Sequence, residues 1–373
     1  MPAFKLSDIT GVIPALITPF DENEAFDEKR MRACVRFLLA RKVDGFYLTG
    51  STGETFLMSP EERKRVVEVV VDEVAGRVPV MAHIGAIGTH LSVDLAQHAQ
   101  ETGVDALSSV PPFYWSFPQH EVLGYYADLT ASTDLPMIVY NVPLAGLFGF
   151  DMISKLAQIK GVEGIKYTAP THFEIMRIKA EISKDFVVYS GADEMAMSGL
   201  SFGADGIIGS LYNLMPELFI GIRDAIAAKD LARAQALQET ANAVIFFGVS
   251  RSLMAVIKRG MAWQGADAGY CRRPFSNYYD AEAEEALKND FRQAQERAKF
   301  GRRQFPRRTL NYYVSDSAGG QIGQRAGSLE TCKNGDRGRQ HAALQTPGDV
   351  LARPLASLFF QSQGVSGLGS RRD

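Results

Sequence analysis

The chain has 373 residues, 46% of them hydrophobic, and a formal net charge of −3 at pH 7. That length suits one barrel or two ordinary domains. The near-neutral balance argues against a nucleic-acid binder, which concentrates basic side chains on one face, and no apolar run of about 18 residues occurs to suggest a membrane span.

The N-terminal segment MPAFKLSDIT lacks a basic-then-apolar signal, so secretion is not expected. Cys34, Cys271 and Cys332 are odd in number and widely spaced, which suits a reducing, cytoplasmic compartment better than a disulfide framework. From there short apolar runs alternate with amphipathic stretches. Strands are predicted over 12–17, 45–48, 78–83, 106–110, 137–141, 164–167, 186–190 and 206–209. Helices are predicted between them, over 27–42, 60–75, 90–102, 119–131, 150–158, 171–183 and 194–202. Ser59-Pro60-Glu61-Glu62 is a helix start, with serine as cap and proline in the first turn. Asp27 can cap the helix that follows it.

Eight short strands interleaved with helices predict a closed parallel α/β barrel, the TIM (β/α)8 architecture. A doubly wound open sheet competes, but it rarely runs to eight such regular units, and the glycine fingerprint of dinucleotide binding is absent. After the eighth strand the period changes, and helices are predicted over 216–229, 231–247, 250–259 and 280–299. The expected division is a barrel over 1–225, a helical appendage packed on it over 226–300, and a poorly ordered basic tail over 301–373. That tail holds eleven Lys/Arg against five Asp/Glu, so the first 300 residues carry a net −9. A basic tail can be a nucleic-acid arm, but its Gly, Arg, Gln and Ser content, without sustained periodicity, reads rather as an extension or an accident of the reading frame.

Barrel enzymes keep their chemistry at the C-terminal ends of the strands. Lys166 lies near the end of Val162-Glu163-Gly164-Ile165-Lys166-Tyr167, and Tyr140 near the end of Met137-Ile138-Val139-Tyr140-Asn141. An ammonium is costly to desolvate, and the neutral amine is a nucleophile towards carbonyl carbon. Beside a tyrosine hydroxyl it suits Schiff-base chemistry, where protons move while the amine adds. The plain alternatives are a lysine whose stem packs while its head reaches water, and a tyrosine that only satisfies a carbonyl. Gly50-Ser51-Thr52-Gly53-Glu54 follows the second strand as a tight turn that can hold a carboxylate with hydroxyl and amide donors. No Gly-Lys-Ser/Thr follows it, so it is not a nucleotide loop.

The last two strand ends supply Ser190-Gly191-Ala192-Asp193-Glu194 and Gly209-Ser210-Leu211-Tyr212-Asn213. Carboxylates beside small hydroxyls can hold several substrate hydroxyls, while Asp193 and Glu194 can equally cap the helix they begin. His83 ends a strand, His90 and His98 lie eight apart on a helix, and His120 and His172 sit near helix starts. Neither a zinc spacing nor a carboxylate cluster for magnesium emerges, and no metal is expected.

Taken together, these motifs resemble the N-acetylneuraminate lyase and dihydrodipicolinate synthase family of class I aldolase-type barrels. The likeness runs from about Gly11 to Phe275 and weakens through about residue 297. It rests on Gly50 to Glu54, Tyr140-Asn141-Val142-Pro143, Gly164-Ile165-Lys166 and Gly203-Ala204-Asp205-Gly206. The resemblance implies that Lys166 forms the Schiff base, that Tyr140 is the acid/base, and that Ser51 and Thr52 bind the carboxylate of a 2-oxo acid. It implies that Tyr114 reaches a neighbouring subunit's site and joins a hydroxyl relay with Tyr140 and Ser51, within a homotetramer built as a dimer of dimers. It implies no cofactor beyond the covalent lysine–pyruvate adduct, and no nucleic-acid or membrane partner.

Dihydrodipicolinate synthases usually carry Gly-Arg-Thr after the Asn-Val-Pro, where this chain has Leu144-Ala145-Gly146. The sialic acid lyase branch is similar there, in Lys166-Tyr167-Thr168 and in Cys271-Arg272-Arg273-Pro274-Phe275. In that branch Thr168, Gly191, Asp193, Glu194 and Ser210 hold the polyhydroxylated part of the sugar. Ala192 departs from the aromatic residue expected between Gly191 and Asp193. The implied reaction is reversible aldol cleavage of N-acetylneuraminate to N-acetylmannosamine and pyruvate. The alternatives are another pyruvate-linked 2-oxo acid aldolase or dehydratase, dihydrodipicolinate synthase, and, most remotely, a non-catalytic ligand-binding regulator.

Overall fold

The computed structural model describes residues 2–278 and 280–300. The expected basic tail and Cys332 lie outside the described residues. Eight strands form one sheet: β1 (Gly11–Pro14), β2 (Phe46–Leu48), β3 (Val80–His83), β4 (Ala106–Ser109), β5 (Met137–Asn141), β6 (Val162–Tyr167), β7 (Val187–Ser190) and β8 (Gly206–Gly209). Their order is β1-β8-β7-β6-β5-β4-β3-β2, with every pair parallel. A parallel bridge between Ala15 and Tyr47 closes the ring, with the Leu16 N–H donating to the Tyr47 carbonyl at 2.9 Å.

Side-chain alternation along each strand separates two cores. Ile13, Ala15, Tyr47, Met81, Ala106, Ile138, Val187, Tyr189 and Ile208 fill the barrel, and Leu6 and Ile9 pack with them. The alternate residues, among them Phe46, Leu48, Ala82, Leu107, Val139 and Ile165, face the surrounding helices. The barrel is therefore a packed core and not a pore.

The outer ring is α1 (Glu28–Ala40), α2 (Pro60–Val74), α3 (Thr89–Thr102), α4 (Gln119–Ala131), α5 (Phe150–Leu156), α6 (Phe173–Arg177), α7 (Ala196–Ser201) and α8 (Pro216–Ala227). The two start signals work as read. Asp27 accepts from the Arg30 N–H, and Ser59 and Glu62 exchange side-chain and backbone bonds as a complete capping box. The appendage is α9 (Leu231–Val249), α10 (Leu253–Ala262) and α11 (Ala281–Phe300). Leu237, Ala241, Val244, Val256, Ile257 and Phe291 of these helices share a core with Phe219 and Ile222 of α8. Among the described residues no single helix is long and apolar enough to cross a membrane.

Several predicted bounds shift, as for the helix expected over 250–259, which spans Leu253–Ala262, and two further elements differ for reasons visible in the structure. The first strand ends at Pro14 rather than Ile17, because the chain crosses from β8 to β2 there, the Ala15 N–H still donating to Gly209. The Asn213 side chain then takes a strand neighbour's place, donating to the Ala15 carbonyl at 2.7 Å and accepting from the Ile17 N–H at 3.3 Å. The helix expected over 171–183 is α6 followed by a wider π turn, Ile178–Ile182.

Candidate active site

Strand register decides which side chains meet at the C-terminal mouth. Tyr140 of β5 pairs with Lys166 of β6, and Lys166 with Tyr189 of β7, so all three share the inward parity. Lys166 is only 4% exposed. Its Nζ lies 4.2 Å from the Tyr140 ring centroid and 4.4 Å from that of Tyr47. The two rings stand nearly perpendicular with centroids 6.1 Å apart. A cation held against two aromatic faces is stabilised by the ring quadrupoles. Burial and the neighbouring Tyr140 hold the Tyr47 hydroxyl well above its ordinary pKa, so it stays neutral and donates to Ser108 Oγ at 3.0 Å.

His83, at the end of β3, is edge-on to Tyr140 with centroids 6.0 Å apart. Its partners define its tautomer: Nδ1 donates to the Thr49 carbonyl at 3.0 Å, and Nε2 accepts from the Val110 N–H at 3.2 Å. Burial and the nearby Arg63 guanidinium push it well below the usual imidazole range. It is a neutral spacer, not a proton carrier.

The turn after β2 is a 3₁₀ turn, Ser51–Gly53, ended by Glu54 in left-handed backbone at φ 59°. Thr52 is buried and its Oγ1 lies 2.7 Å from Ser210 Oγ, which joins the turn to the loop after β8. Ser51 is half-buried beside it.

Asp193 is not the cap of its own helix. Its carboxylate accepts from the Ser210 N–H at 3.2 Å and the Leu211 N–H at 2.7 Å. Burial pushes its pKa up to about 7, against the Leu211 N–H, which favours the ionised form. Gly209 makes room for this, since a Cβ there would meet Asp193 Oδ1 at 2.1 Å. Gly191 does the same for its neighbours: a Cβ would stand 1.9 Å from Thr168 Oγ1 and 3.1 Å from Lys166 Cε. Thr168 Oγ1 is buried and, among the described residues, has no hydrogen-bond partner. Glu194 is exposed, and its carbonyl accepts from Asn242 of α9.

Lys166, Tyr140, Thr168, Gly191, Asp193, Ser210, Thr52 and Ser51 thus gather at one end of the barrel. Tyr114 stands apart. It is 84% exposed on the loop after β4, at φ 83°, with its ring against Trp115. Such backbone is uncommon for a residue with a side chain. Sequence reasoning missed Tyr47, which the structure turns into the barrel, away from Phe46 and Leu48. It also missed Lys258, and gave no role of its own to Glu54, with which Lys258 forms an ion pair beneath the turn. Among the described residues no group of three or more His, Cys, Asp or Glu could hold a metal ion.

The dihydrodipicolinate synthetase family model matches residues 8–294. N-acetylneuraminate lyase of Citrobacter koseri is 40% identical over 273 residues, covering 72% of this chain and 92% of that protein. Clostridium difficile CdNal, solved in complex with mannosamine, superposes with a TM-score of 0.74 at 31% identity, covering 77% of this chain and 99% of that one. N-acetylneuraminate lyase of Mycoplasma synoviae gives 0.72 at 34% identity, covering 78% and 99%. Sequence and topology agree, and the chain belongs to the dihydrodipicolinate synthetase family.

Proposed function

We propose that the protein is an N-acetylneuraminate lyase, a carbon–carbon lyase that reversibly cleaves N-acetylneuraminate to N-acetylmannosamine and pyruvate. The observation that carries this reading is the buried Lys166 amine between the Tyr47 and Tyr140 rings, beside the Thr52–Ser210 pair. Identity of 40% to a lyase that acts on this sugar acid supports the choice of substrate.

Ser51 and Thr52 hold the carboxylate of the open-chain substrate and present its C2 carbonyl to Lys166. The amine adds, Tyr140 gives its proton to the departing hydroxyl, and water leaves an iminium. Tyr140, now a base, takes the C4 hydroxyl proton as the C3–C4 bond breaks. The bonding pair flows into the iminium, releasing the aldehyde of N-acetylmannosamine and leaving the pyruvate enamine. Protonation at C3 and hydrolysis return the free lysine. Thr168, Gly191, Asp193, Glu194 and Ser210 hold the hydroxylated chain of the sugar. No metal or organic cofactor takes part. The enzyme works in the cytoplasm as a homotetramer, a dimer of dimers, in which the exposed Tyr114 completes the neighbouring subunit's relay with Tyr140 and Ser51.

Borohydride reduction with pyruvate should add covalent mass at Lys166, and Lys166→Ala should abolish both trapping and turnover. Tyr140→Phe should still trap pyruvate while turnover falls roughly 100- to 10,000-fold, the range for one positioned acid/base. An unmodified Lys166 in active enzyme excludes the mechanism. Pyruvate release across a panel of 2-oxo acids tests the substrate, and strong turnover of a deoxy-hexonate with none of N-acetylneuraminate rejects it. Light scattering reports the assembly.

A further inference from the structure

Below the carboxylate turn lies a charged pair that the reaction does not use. Lys258 of α10 and Glu54 have side chains only 1% and 0% exposed, with Nζ 2.6 Å from Glu54 Oε1. The ammonium has three protons and finds three acceptors: Glu54, the Thr18 carbonyl at 2.7 Å and the Tyr270 carbonyl at 2.6 Å. The second Glu54 oxygen accepts from the Arg272 N–H at 2.8 Å. One lysine therefore ties together the segment after β1, the turn after β2 and the loop after α10.

Burying two charges is costly, and a well-packed apolar pair would serve stability as well. What the ionic pair supplies is directional. Glu54 is the left-handed residue that ends the Ser51–Gly53 turn and opens the next one, Thr55–Leu57. A lateral shift of its carboxylate moves the backbone that carries Ser51 and Thr52. The far side of the turn is fixed independently, through Thr52 and Ser210.

We infer that Lys258 is a positioning residue for the carboxylate turn: by clamping Glu54 from the helical appendage, it sets the angle at which Ser51 and Thr52 meet the substrate. The inference rests on the reading of that turn given above. The appendage thereby contributes to 2-oxo acid binding without touching the ligand.

The test compares half-saturating pyruvate in the borohydride reaction. In Lys258→Met combined with Glu54→Gln, methionine keeps the stem and glutamine keeps an acceptor for the Arg272 N–H, while no buried charge is stranded. Half-saturation should rise roughly 10-fold or more, by analogy with the loss seen when the partners that orient a metal's ligands are removed. Trapping at saturating pyruvate should remain complete, and Lys258→Arg alone should recover part of the affinity. A folded double variant with unchanged half-saturation overturns the inference, as does one that loses trapping even at saturation. Wild-type enzyme supplies a measurement independent of variant folding: pyruvate should slow amide exchange in 51–55 and 256–261 together. Protection confined to 51–55 also overturns it. Wild-type Lys166 that pyruvate and borohydride never modify rejects the lyase reading instead, and this inference with it.

Discussion

Lys166 rests its Nζ on two ring faces, and that arrangement favours whatever cation the nitrogen carries. An iminium is such a cation. Tyr47→Phe keeps the face and should trap pyruvate nearly as well as wild type. Tyr47→Leu keeps bulk without the quadrupole, and should weaken trapping by up to about 30-fold, the equivalent of about 2 kcal/mol for a desolvated cation–π contact. Mass spectrometry of reduced adducts across a pyruvate titration reads the difference. Asp193 gives a second prediction. Its pKa of about 7 lies above the ordinary 3.8, so between those limits the folded chain binds the proton more tightly than the unfolded one. Its contribution to stability is full below the lower value and is lost as pH rises through the upper. Wild type should therefore lose more thermal stability than Asp193→Asn between about pH 4.5 and about pH 7.5, as calorimetry would show. A steeper loss in the variant would contradict the assignment. Lys166 and Tyr140 were legible in the sequence because strand ends announce themselves in a regular barrel. Tyr47 was not, since a three-residue strand has too little alternation to show its inward side. Asp193 was legible as a carboxylate but not in its role, because the choice between helix cap and loop clamp depends on Ser210 and Leu211 across the chain.

At the level of elements, helix starts were readable wherever the signal was local. Ser59, Pro60 and Glu62 satisfy each other's donors within one turn, and α2 begins where they place it. Ser59→Ala should cost roughly 0.5–2 kcal/mol in a denaturant titration. The trapping midpoint for pyruvate should move little, because Ser59 bonds neither Glu54 nor Lys258, and Glu62 keeps its own grip on the Arg272 side chain, whose N–H holds Glu54. A shifted midpoint would mean that the start of α2 also sets the turn. Elements shaped by distant groups were not readable. The end of β1 depends on the Asn213 amide, and nothing in 12–17 reports that partner. The clamp on Glu54 was hidden for the same reason: Gly50 to Glu54 reads as one glycine-bounded turn, while its anchor lies 204 residues further on.

For the whole molecule, the repeat of strand and helix made the barrel legible, and the loss of that repeat after β8 marked the appendage. What no local pattern shows is that α10 reaches back beneath the site, so that barrel and appendage share a buried charge pair. The closing of the ring has a consequence for how the chain is made. β1 leaves the ribosome before every other strand of the barrel, yet its ladder partner is β8, and the Asn213 amide that completes its end follows Ile17 by 196 residues. Contacts so far apart in sequence are slow to form and leave apolar edges open meanwhile. During synthesis the first strand therefore waits, with Val12 and Ile13 unprotected, until nearly the whole barrel has emerged. Chaperone occupancy on nascent chains should fall only once β8 has cleared the exit tunnel.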